Sequence, residues 1–480
     1  MQIEAKKLTA NSERGATLVI ALLAMLVLGV LSAGIIFVTH TETLTSANYT
    51  ILAQARYAAE AGVQSSIDWL NNNYTTPTIF TSYDTSKAPV LCPTGCTSTT
   101  LPVVLSALGG VAANYPDSTV ASAYQTALSN QSLTGLSNAS YSTYATLLSM
   151  TPGSSVSWLA GGGSGVPQTW QITSQGSIAG VRNATVQVVA TYERTGTPVL
   201  SYAVFAAGNA CPTITISGAG LTDSYDSSQG TYAGTVQTSQ GDIGTNGTLT
   251  MSGSSTINGN AYLVNVVTAG SCPTQTFNNS SSVGVTGNGG VPTAMGAAKT
   301  FSNPVYTNPS PALTTSTNYS SNLSLAPGNY NNVTVSGGKT LTLSPGTYNF
   351  NSLALSGGSI ITVSPAGTVV LEIAGAGAPS KALDFSGGSI SNSAGSPSSF
   401  QIVYNGTRPM TLSGGSNSAA VVYAPSSPIT MSGGSPWYGS IIGSSFINSG
   451  GSAVHYDRSL ATSLITPGPF RLIGFSWSKF

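Results

Sequence analysis

The stretch "ERGATLVIALL", residues 13–23, joins a polar, charged leader directly to an uncharged apolar segment. No residue from Gly15 to Thr41 is charged, and residues 16–38 are mainly Ala, Leu, Val and Ile. As a helix, residues 16–38 would be roughly 35 Å long, enough to cross a bilayer core of about 30 Å. A cleaved secretory signal has a shorter apolar run of about 7–15 residues, followed by a small-residue site. The segment therefore predicts a membrane anchor that stays attached to the chain.

The charges of the leader predict how this anchor is oriented. The leader contains three basic residues, Lys6, Lys7 and Arg14, and two acidic residues, Glu4 and Glu13. Arg14 lies closest to the apolar run. Positive charge next to a membrane helix is retained on the cytoplasmic side. We therefore expect a single-pass protein with a cytoplasmic N-terminus and the bulk of the chain on the far side of the membrane.

The helix is expected to continue beyond the membrane, over residues 16–72. After the apolar segment the chain holds no Pro before residue 72, and its only Gly in that stretch is Gly62, in "ARYAAEAG". Arg56 and Glu60 are four residues apart and can form an ion pair on one helix face. The sequence "NNNY", residues 71–74, is typical of a helix end. Half of this helix would lie in lipid and half would project from it.

The composition of the remaining chain favours β-structure rich in turns. The 480 residues include 55 Gly, and only 6% are charged, against about 25% in an average globular domain. Fourteen basic and fourteen acidic residues cancel, so no nucleic-acid partner held by charge is expected. With 41% hydrophobic residues, the chain can bury a core, and disorder is not favoured.

Residues 73–205 are expected to form a mixed region with a β-hairpin. The alternation in "TWQITSQGSIAGVRNATVQVVATYER", residues 169–194, predicts two strands joined by a turn at Gly176–Gly180. Two other phrases, "DSTVASAYQTALSN" (117–130) and "SYSTYATLLSM" (140–150), are interpreted as short helices. The hairpin is the candidate for a small sheet packed on the projecting half of the long helix.

Internal repetition predicts a β-helix, or solenoid, over residues 206–465. Short strands alternate with glycine turns, and "PGNY" at 327 recurs as "PGTY" at 345. We expect residues 264–325 to be an insertion between two repetitive parts, and residues 466–480 to be a C-terminal tail. The fold class expected is α+β and mostly β, with a long N-terminal helix, a small antiparallel sheet and a solenoid. The repeated triplet "SGG" begins at positions 336, 356, 386, 413, 432 and 449.

Four cysteines predict disulfides rather than a metal site. Cys92 and Cys96 lie four apart, and Cys211 and Cys272 are the other two. The chain has only two histidines, so a zinc site would lack good ligands. In an exported, oxidising compartment two disulfides are expected. Pairing of nearest neighbours gives Cys92–Cys96 and Cys211–Cys272, although four cysteines allow three pairings.

Catalytic chemistry is not expected. Asp223 and Asp226 are interpreted as Asx turns at coil corners rather than a Ca²⁺ or carboxylate site. The polar group from His455 to Arg458 is expected to cap the open end of the solenoid. No Ser-His-Asp order, phosphate loop or HExxH motif occurs, and no cofactor is expected. The acidic candidates weighed for a carbohydrate-cleaving site are Asp223, Asp226, Asp242, Glu372, Asp384 and Asp457.

The N-terminal region resembles a known family. "RGATLVIALL", the long membrane helix and "AAEAG" together look like the N-terminal region of PilX-type minor pilins of type IV pilus assembly. This resemblance implies a leader, residues 1–15, that a prepilin peptidase removes between Gly15 and Ala16, leaving the apolar helix attached. It also implies a bacterial inner membrane and other pilins or pilus assembly proteins as partners. The phrases "DSYDSS" and "VHYDRSL" resemble the β-helical C-terminal domains attached to some PilX-like proteins.

One departure and three alternatives accompany this resemblance. Major pilins carry Glu at the fifth position after the cut, where this chain has Ile20, which argues against the repeating subunit of a filament. A secretion pseudopilin is the nearest rival. An anchored surface adhesin that is not processed, and that recognises glycans through exposed Tyr and Asn, is the second alternative. A carbohydrate-active β-helix enzyme is the third, and the low acid count argues against it.

Overall fold

The computed structural model describes residues 13–479 with gaps. The residues outside the description within that span are 76, 78–80, 137, 152–153, 157, 160–165, 181–182, 265–276, 307–314, 378 and 414–417. Cys272 and the leader residues 1–12 therefore lie outside the described residues.

A single helix dominates the N-terminal part of the chain. Helix α1 spans Glu13–Asn72, and 60 residues at 1.5 Å each make it about 90 Å long. From Ala16 onward its apolar half is exposed, whereas Ala55, Ala58 and Ala59 are completely buried. The continuous helix over residues 16–72 is confirmed, because no Pro interrupts it and Asn72 is followed by a turn.

An antiparallel sheet packs on the buried half of α1. Strand β3 pairs with β5, and β5 pairs with β6 through eleven residue pairs that include Ile172↔Ala190. Helix α2, Ser118–Leu128, begins after Asp117, whose carboxylate accepts hydrogen bonds from the backbone N–H groups of Thr119 and Val120. The strands of this part are β1 (Val104–Ser106), β2 (Gln131–Ser132), β3 (Ala139–Met150), β4 (Ser154–Ser155), β5 (Gln168–Ile178) and β6 (Ala184–Pro198).

The hairpin and the α2 helix are confirmed, although the hairpin turns after Ile178 and not at Gly176, which pairs with Val186 inside β5. The helix expected over residues 140–150 is wrong. That segment is strand β3, and its side chains alternate between buried and partly exposed positions from Thr143 to Leu147. Alternating Tyr and Thr suit a pleated surface, and the partner strand β5 lies too far along the chain to be seen locally. Long-range pairing therefore decided the structure of this segment.

The second half of the chain forms strands that pair in parallel. Of the described strands, twenty belong to one sheet and four to a second. Two short helices, α3 (Tyr232–Thr235) and α4 (Leu460–Ser463), follow β9 and β30 in the chain. The strands are β7 (Val204–Ala206), β8 (Ile214–Ile216), β9 (Leu221–Tyr225), β10 (Ile243–Thr245), β11 (Leu249–Gly253), β12 (Thr256–Ile257), β13 (Ala261–Val264), β14 (Phe277–Ser281), β15 (Gly284–Val285), β16 (Thr293–Met295), β17 (Ser316–Tyr319), β18 (Leu323–Leu325), β19 (Gly328–Val335), β20 (Thr340–Leu343), β21 (Gly346–Leu355), β22 (Ser359–Val363), β23 (Val369–Ile373), β24 (Leu383–Asp384), β25 (Gly388–Asn392), β26 (Phe400–Tyr404), β27 (Met410–Ser413), β28 (Ala419–Ser432), β29 (Trp437–Asn448) and β30 (Ala453–Asp457).

These strands stack in an order that departs from chain order. β17 pairs with β19 and β19 with β21, and the stack continues through β28 to β29. β29 then pairs with β7 and β8, and β30 pairs with β9, although these partners precede them by more than 200 residues. From β7 the stack continues to β10, β13 and β16. The result is a parallel, barrel-like sheet, and the β-helix stays a prediction.

This order requires a connection along the stack from β16 to β17. The described part of that connection is residues 296–306 and residue 315, and its contacts lie between Lys299 and Tyr306. Asn246, after β10, exchanges hydrogen bonds with the backbone of Lys299, and Tyr423 Oη donates to the carbonyl of Ser302 at 2.7 Å. Tyr306 Oη donates to the carbonyl of Ile373 in β23. The segment thus crosses successive strands. The insertion expected over residues 264–325 is wrong in its extent, because strands β14 to β18 lie within that range and pair in the parallel sheets.

The last strand returns to the antiparallel sheet. Strand β31, Leu464–Lys479, pairs with β6 from Ile465↔Pro198 to Lys479↔Val186. The tail expected over residues 466–480 is therefore a sheet strand. Its apolar residues Ile465 and Phe470 are buried, which a solvated tail would not allow. The parallel strands are thus inserted between β6 and β31 of the antiparallel sheet.

Candidate functional site: the apolar helix and the polar junction

The first half of α1 presents apolar side chains that no described part of the chain covers. Val27 is 46% exposed and Phe37 is 75% exposed, and the large apolar residues between them fall within this range. By length and composition the helix over Ala16–Asn72 is a candidate membrane span. An exposed apolar surface of this size is stable only in lipid or against other apolar helices.

Threonines follow the apolar segment, and their hydroxyls form hydrogen bonds to the backbone of the same helix. The hydroxyls of Thr39, Thr41, Thr43 and Thr45 each donate to the carbonyl four residues earlier, at 2.7–2.8 Å. These bonds satisfy the hydroxyls without water or a partner. This threonine-rich part of the helix can therefore lie at the membrane surface or against another protein.

The second half of α1 packs unusually close to the antiparallel sheet. A Cβ atom placed on Gly176 of β5 would lie 2.2 Å from the carbonyl oxygen of Ala55 and 2.3 Å from the nitrogen of Ala59. On the helix side, a Cβ on Gly62 would lie 2.2 Å from Ser174 Oγ. Small residues on both elements permit this contact, and the "AAEAG" phrase is the helix part of it.

The predicted processing junction lies at the start of α1. Gly15 and Ala16 are in the first turns of the helix that begins at Glu13. Ala16 is exposed. Cleavage there stays a prediction.

The predicted ion pair is present on the same helix. Arg56 Nε lies 2.8 Å from Glu60 Oε1, and both side chains are partly exposed. Pairs of this kind contribute about 0.2–0.5 kcal/mol. The Arg56 guanidinium also lies 5.1 Å from the ring of Trp477, so the pair connects α1 to β31.

The cysteines follow the prediction where they are described. Cys92 and Cys96 form a disulfide, and the loop that it closes turns at Gly95, whose φ of +84° favours glycine. Cys211 is also disulfide-bonded. Cys272 lies outside the described residues, so its pairing with Cys211 stays a prediction.

The polar group at His455–Arg458 occupies a different place from the one expected. The prediction that it caps an open end is wrong, because β9 pairs along β30 and covers it. His455 Nδ1 lies 2.5 Å from Asp223 Oδ1, and both side chains are buried. Arg458 donates to Ser224 Oγ at 2.9 Å. We call these residues, together with Asp457, the polar junction, because they join two distant parts of the chain.

Asp457 completes the polar junction. It is fully buried, and its carboxylate accepts hydrogen bonds from the backbone and hydroxyl groups of both Ser227 and Ser459, at 2.6–3.1 Å. Four donors satisfy the buried charge. The junction is therefore a structural connection that holds β30 against the loop after β9.

The other acidic candidates are dispersed. Asp226 forms an Asx turn with Ser228, as predicted, but the same prediction for Asp223 is wrong, since Asp223 binds His455. Asp384 pairs with Lys381 at 2.8 Å. Asp242 accepts a hydrogen bond from the backbone of Asn260 at 2.7 Å. Among the described residues no three His, Cys, Asp or Glu side chains could hold a metal ion together.

Glu372 is an acidic residue whose pKa is strongly raised. Burial in β23 raises the pKa of Glu372 to about 7. A raised pKa in a cleft is a mark of catalytic acids, but no second carboxylate is recorded beside it among the described contacts. The nearby polar group is the Tyr306 hydroxyl of the connecting segment, whose pKa is raised by burial and also by the Glu372 charge.

The chain thus combines an exposed apolar helix, a candidate membrane span, with an antiparallel sheet and a large domain of parallel strands. Residues 14–64 match the family model of the PilX N-terminal region. The N-terminal part of this chain is thus similar to the N-terminal region of PilX proteins. Residues 303–463 match a family described only as a domain of unknown function (DUF7305).

Comparison with whole proteins adds little. No curated protein matches the chain in sequence. Among solved structures, the competence-associated pilin ComZ from Thermus thermophilus is similar over 90% of this chain and 98% of its own, at 13% identity and a TM-score of 0.23. A likeness at that level carries no weight for the fold or the function of this chain.

Proposed function

We propose that this chain is a non-enzymatic minor pilin-like subunit of type IV pilus assembly or of a related secretion machine. The observation that carries the proposal is the division of α1. Its first half is apolar and exposed, and its second half is fixed to a sheet by Ala55, Ala58 and Ala59. The PilX-type match over residues 14–64 supports it.

The mechanism is mechanical. A prepilin peptidase removes residues 1–15 on the cytoplasmic side of the inner membrane, by cutting between Gly15 and Ala16. The apolar half of α1 then anchors the protein in that membrane and enters the helical bundle of a filament. The rest of the chain is periplasmic, or is displayed on the cell surface or pilus.

The parallel-strand domain, residues 206–465, indicates where in the pilus the subunit acts. We interpret residues 206–465 as a β-helix, whose repeats place Val, Ile and Leu inside and need little charge. Parallel pairing such as Val333↔Leu353 supports this interpretation. A domain of this bulk does not suit repetition along a thin fibre, and Ile20 replaces the Glu of major pilins. The subunit therefore acts at a tip or in initiation.

Site-specific photo-crosslinking in native membranes tests the assembly step. A photoreactive phenylalanine analogue at Leu28, which is 62% exposed on α1, is expected to crosslink to the N-terminal helix of another pilin. The matched control is the same analogue at Val283, which is 57% exposed in the parallel-strand domain and should give no such product. Equal yields of pilin peptides at both positions, or none at Leu28, would contradict assembly through α1 and favour the unprocessed adhesin.

A further inference from the structure

A cleft lies on the outside of the parallel strands, above the polar junction. Its volume is about 480 Å³, and it opens between the loop that carries α3 and the turn after β25. We define it as the tyrosine cleft, by Tyr225, Tyr232 and Tyr438 on one wall and by Asn392 and Gly395 on the other. We propose that the tyrosine cleft binds a neutral saccharide.

The three tyrosine rings form a compact aromatic wall. Ring centroids are 5.7 Å apart for Tyr225 and Tyr232, 5.8 Å for Tyr225 and Tyr438, and 5.3 Å for Tyr232 and Tyr438. All three pairs meet edge to face. Tyr232 and Tyr438 are partly exposed, so each ring offers apolar surface to the cleft. A pyranose ring has an apolar C–H face on an otherwise polar molecule, and such a face fits this aromatic wall.

One buried hydroxyl of this wall has no partner. Tyr225 is 2% exposed, and its hydroxyl makes no hydrogen bond to any described residue. A buried hydroxyl without a hydrogen bond destabilises the folded state, and such groups are rare in native structures. Burial raises the pKa of Tyr225, as do the Asp457 charge and Tyr438, so the group stays a neutral donor. A ligand hydroxyl in the cleft would satisfy it.

The aromatic wall is held in place from behind by buried polar groups. Asp223 accepts a hydrogen bond from Tyr232 Oη at 2.7 Å while it binds His455. The His455 ring lies 4.1 Å from the Tyr232 ring and 4.9 Å from the Tyr438 ring. The wall is thus organised before any ligand arrives, which lowers the entropy cost of binding.

The opposite wall is equally fixed. The Asn392 amide donates to the carbonyls of Ser396 and Ala419 and to Ser399 Oγ, at 2.9–3.0 Å. Its oxygen accepts from the backbone of Ala394 at 3.2 Å. These bonds fix the turn through Gly395, whose φ of +67° favours glycine. The cleft therefore has two ordered walls.

The residues that line the tyrosine cleft indicate which class of ligand it binds. None of the residues that line the cleft is charged, which gives no counter-charge for an anionic or cationic ligand. Arg458 of the polar junction is bound to Ser224 and to the carbonyl of Thr235. Tyrosine rings next to serine, threonine and backbone groups suit a ligand with both C–H faces and hydroxyls. The volume lies within the range of small-molecule sites, about 300–1,000 Å³.

The first test is binding of the full-length protein, in detergent, to an array of neutral and sialylated oligosaccharides. Binding to neutral oligosaccharides is expected, and the best of them is then titrated by calorimetry. Tyr232→Ala and Tyr438→Ala should each lower its affinity at least tenfold. Tyr330→Ala removes a tyrosine from a separate stack with Tyr348 and Phe350 and should bind as the unchanged protein does.

A second variant separates binding from folding. Tyr225→Phe keeps the ring and removes the unpaired hydroxyl, so it should weaken binding several-fold while thermal stability is equal or higher. Binding only to sialylated glycans, no binding at all, or binding unchanged in the Tyr232 and Tyr438 variants would overturn the proposal. Any of these results leaves the pilin proposal standing, since cleavage and assembly depend on α1 and not on the cleft.

Discussion

Replacing Gly176 with alanine is expected to detach α1 from its sheet. The added Cβ would lie 2.2 Å from the Ala55 carbonyl oxygen and 2.3 Å from the Ala59 nitrogen, and both are backbone atoms of a buried helix. A backbone atom cannot rotate away as a side chain can, so either the helix or β5 must shift. Overpacking of this kind costs about 1–3 kcal/mol and occasionally more, and we expect the upper end of that range.

Hydrogen exchange and denaturant unfolding measure this effect. In Gly176→Ala, amides of residues 55–70 in α1 should lose protection, and the unfolding midpoint of the antiparallel sheet should fall. Gly474→Ala is the matched control, because a Cβ there meets only Thr191 at an ordinary 3.6 Å. If both variants were equally stable, the close packing of α1 on β5 would be refuted.

Replacing Phe470 with alanine is expected to cost about 3–5 kcal/mol, the usual range for a buried phenylalanine. Phe470 is 6% exposed in β31, and its ring lies 4.3 Å from the Arg194 guanidinium. Arg194 is itself buried, and burial lowers its pKa. Loss of the ring therefore leaves both a cavity and a less well-supported buried cation.

The matched control for this variant is in the same strand. Phe475 is 48% exposed, so Phe475→Ala should change the free energy of unfolding by less than about 1 kcal/mol. Chemical unfolding of the two variants side by side gives the difference. Equal, small effects would show that residues 464–479 behave as a tail and that β31 contributes nothing to the sheet.

Features with a local signal were predictable from the sequence. The long apolar helix, the Arg56–Glu60 pair, the β5–β6 hairpin and the Cys92–Cys96 disulfide all depend on residues close in the chain. Hydrophobic run length, i,i+4 spacing and turn residues report on such features directly. The small residues of "AAEAG" were noted in the sequence only as part of the family resemblance, and the structure shows that they pack closely on Gly176 and its strand.

Features that depend on distant partners were not predictable. Strand β3 looked helical because β5 was unknown, and β31 looked like a tail because its partner β6 lies about 280 residues earlier. The pairing of β30 with β9 turned an expected cap at His455 into an internal junction with Asp223. Gly-rich turns predicted strands and repeats, but they carry no information on which strand lies beside which.

The tyrosine cleft illustrates the same limit at a site. Tyr225 and Tyr232 are seven residues apart, but Tyr438 reaches them only because β29 and β30 stack against β7–β9. The sequence indicated that Tyr and Asn could recognise glycans, without indicating which ones meet. The pairing of strands that are distant in sequence therefore brings these three tyrosines together.

The central claim, that this chain enters the pilin pathway through its N-terminal helix, is tested most directly by the N-terminus of the protein in membranes. Its intact mass and first residue are measured from cells with and without prepilin peptidase, together with a Gly15→Leu variant. We expect a chain that starts at Ala16 only when the peptidase is present and Gly15 is intact. A chain that still starts at Met1 in cells with the peptidase would contradict the claim and leave an anchored surface protein.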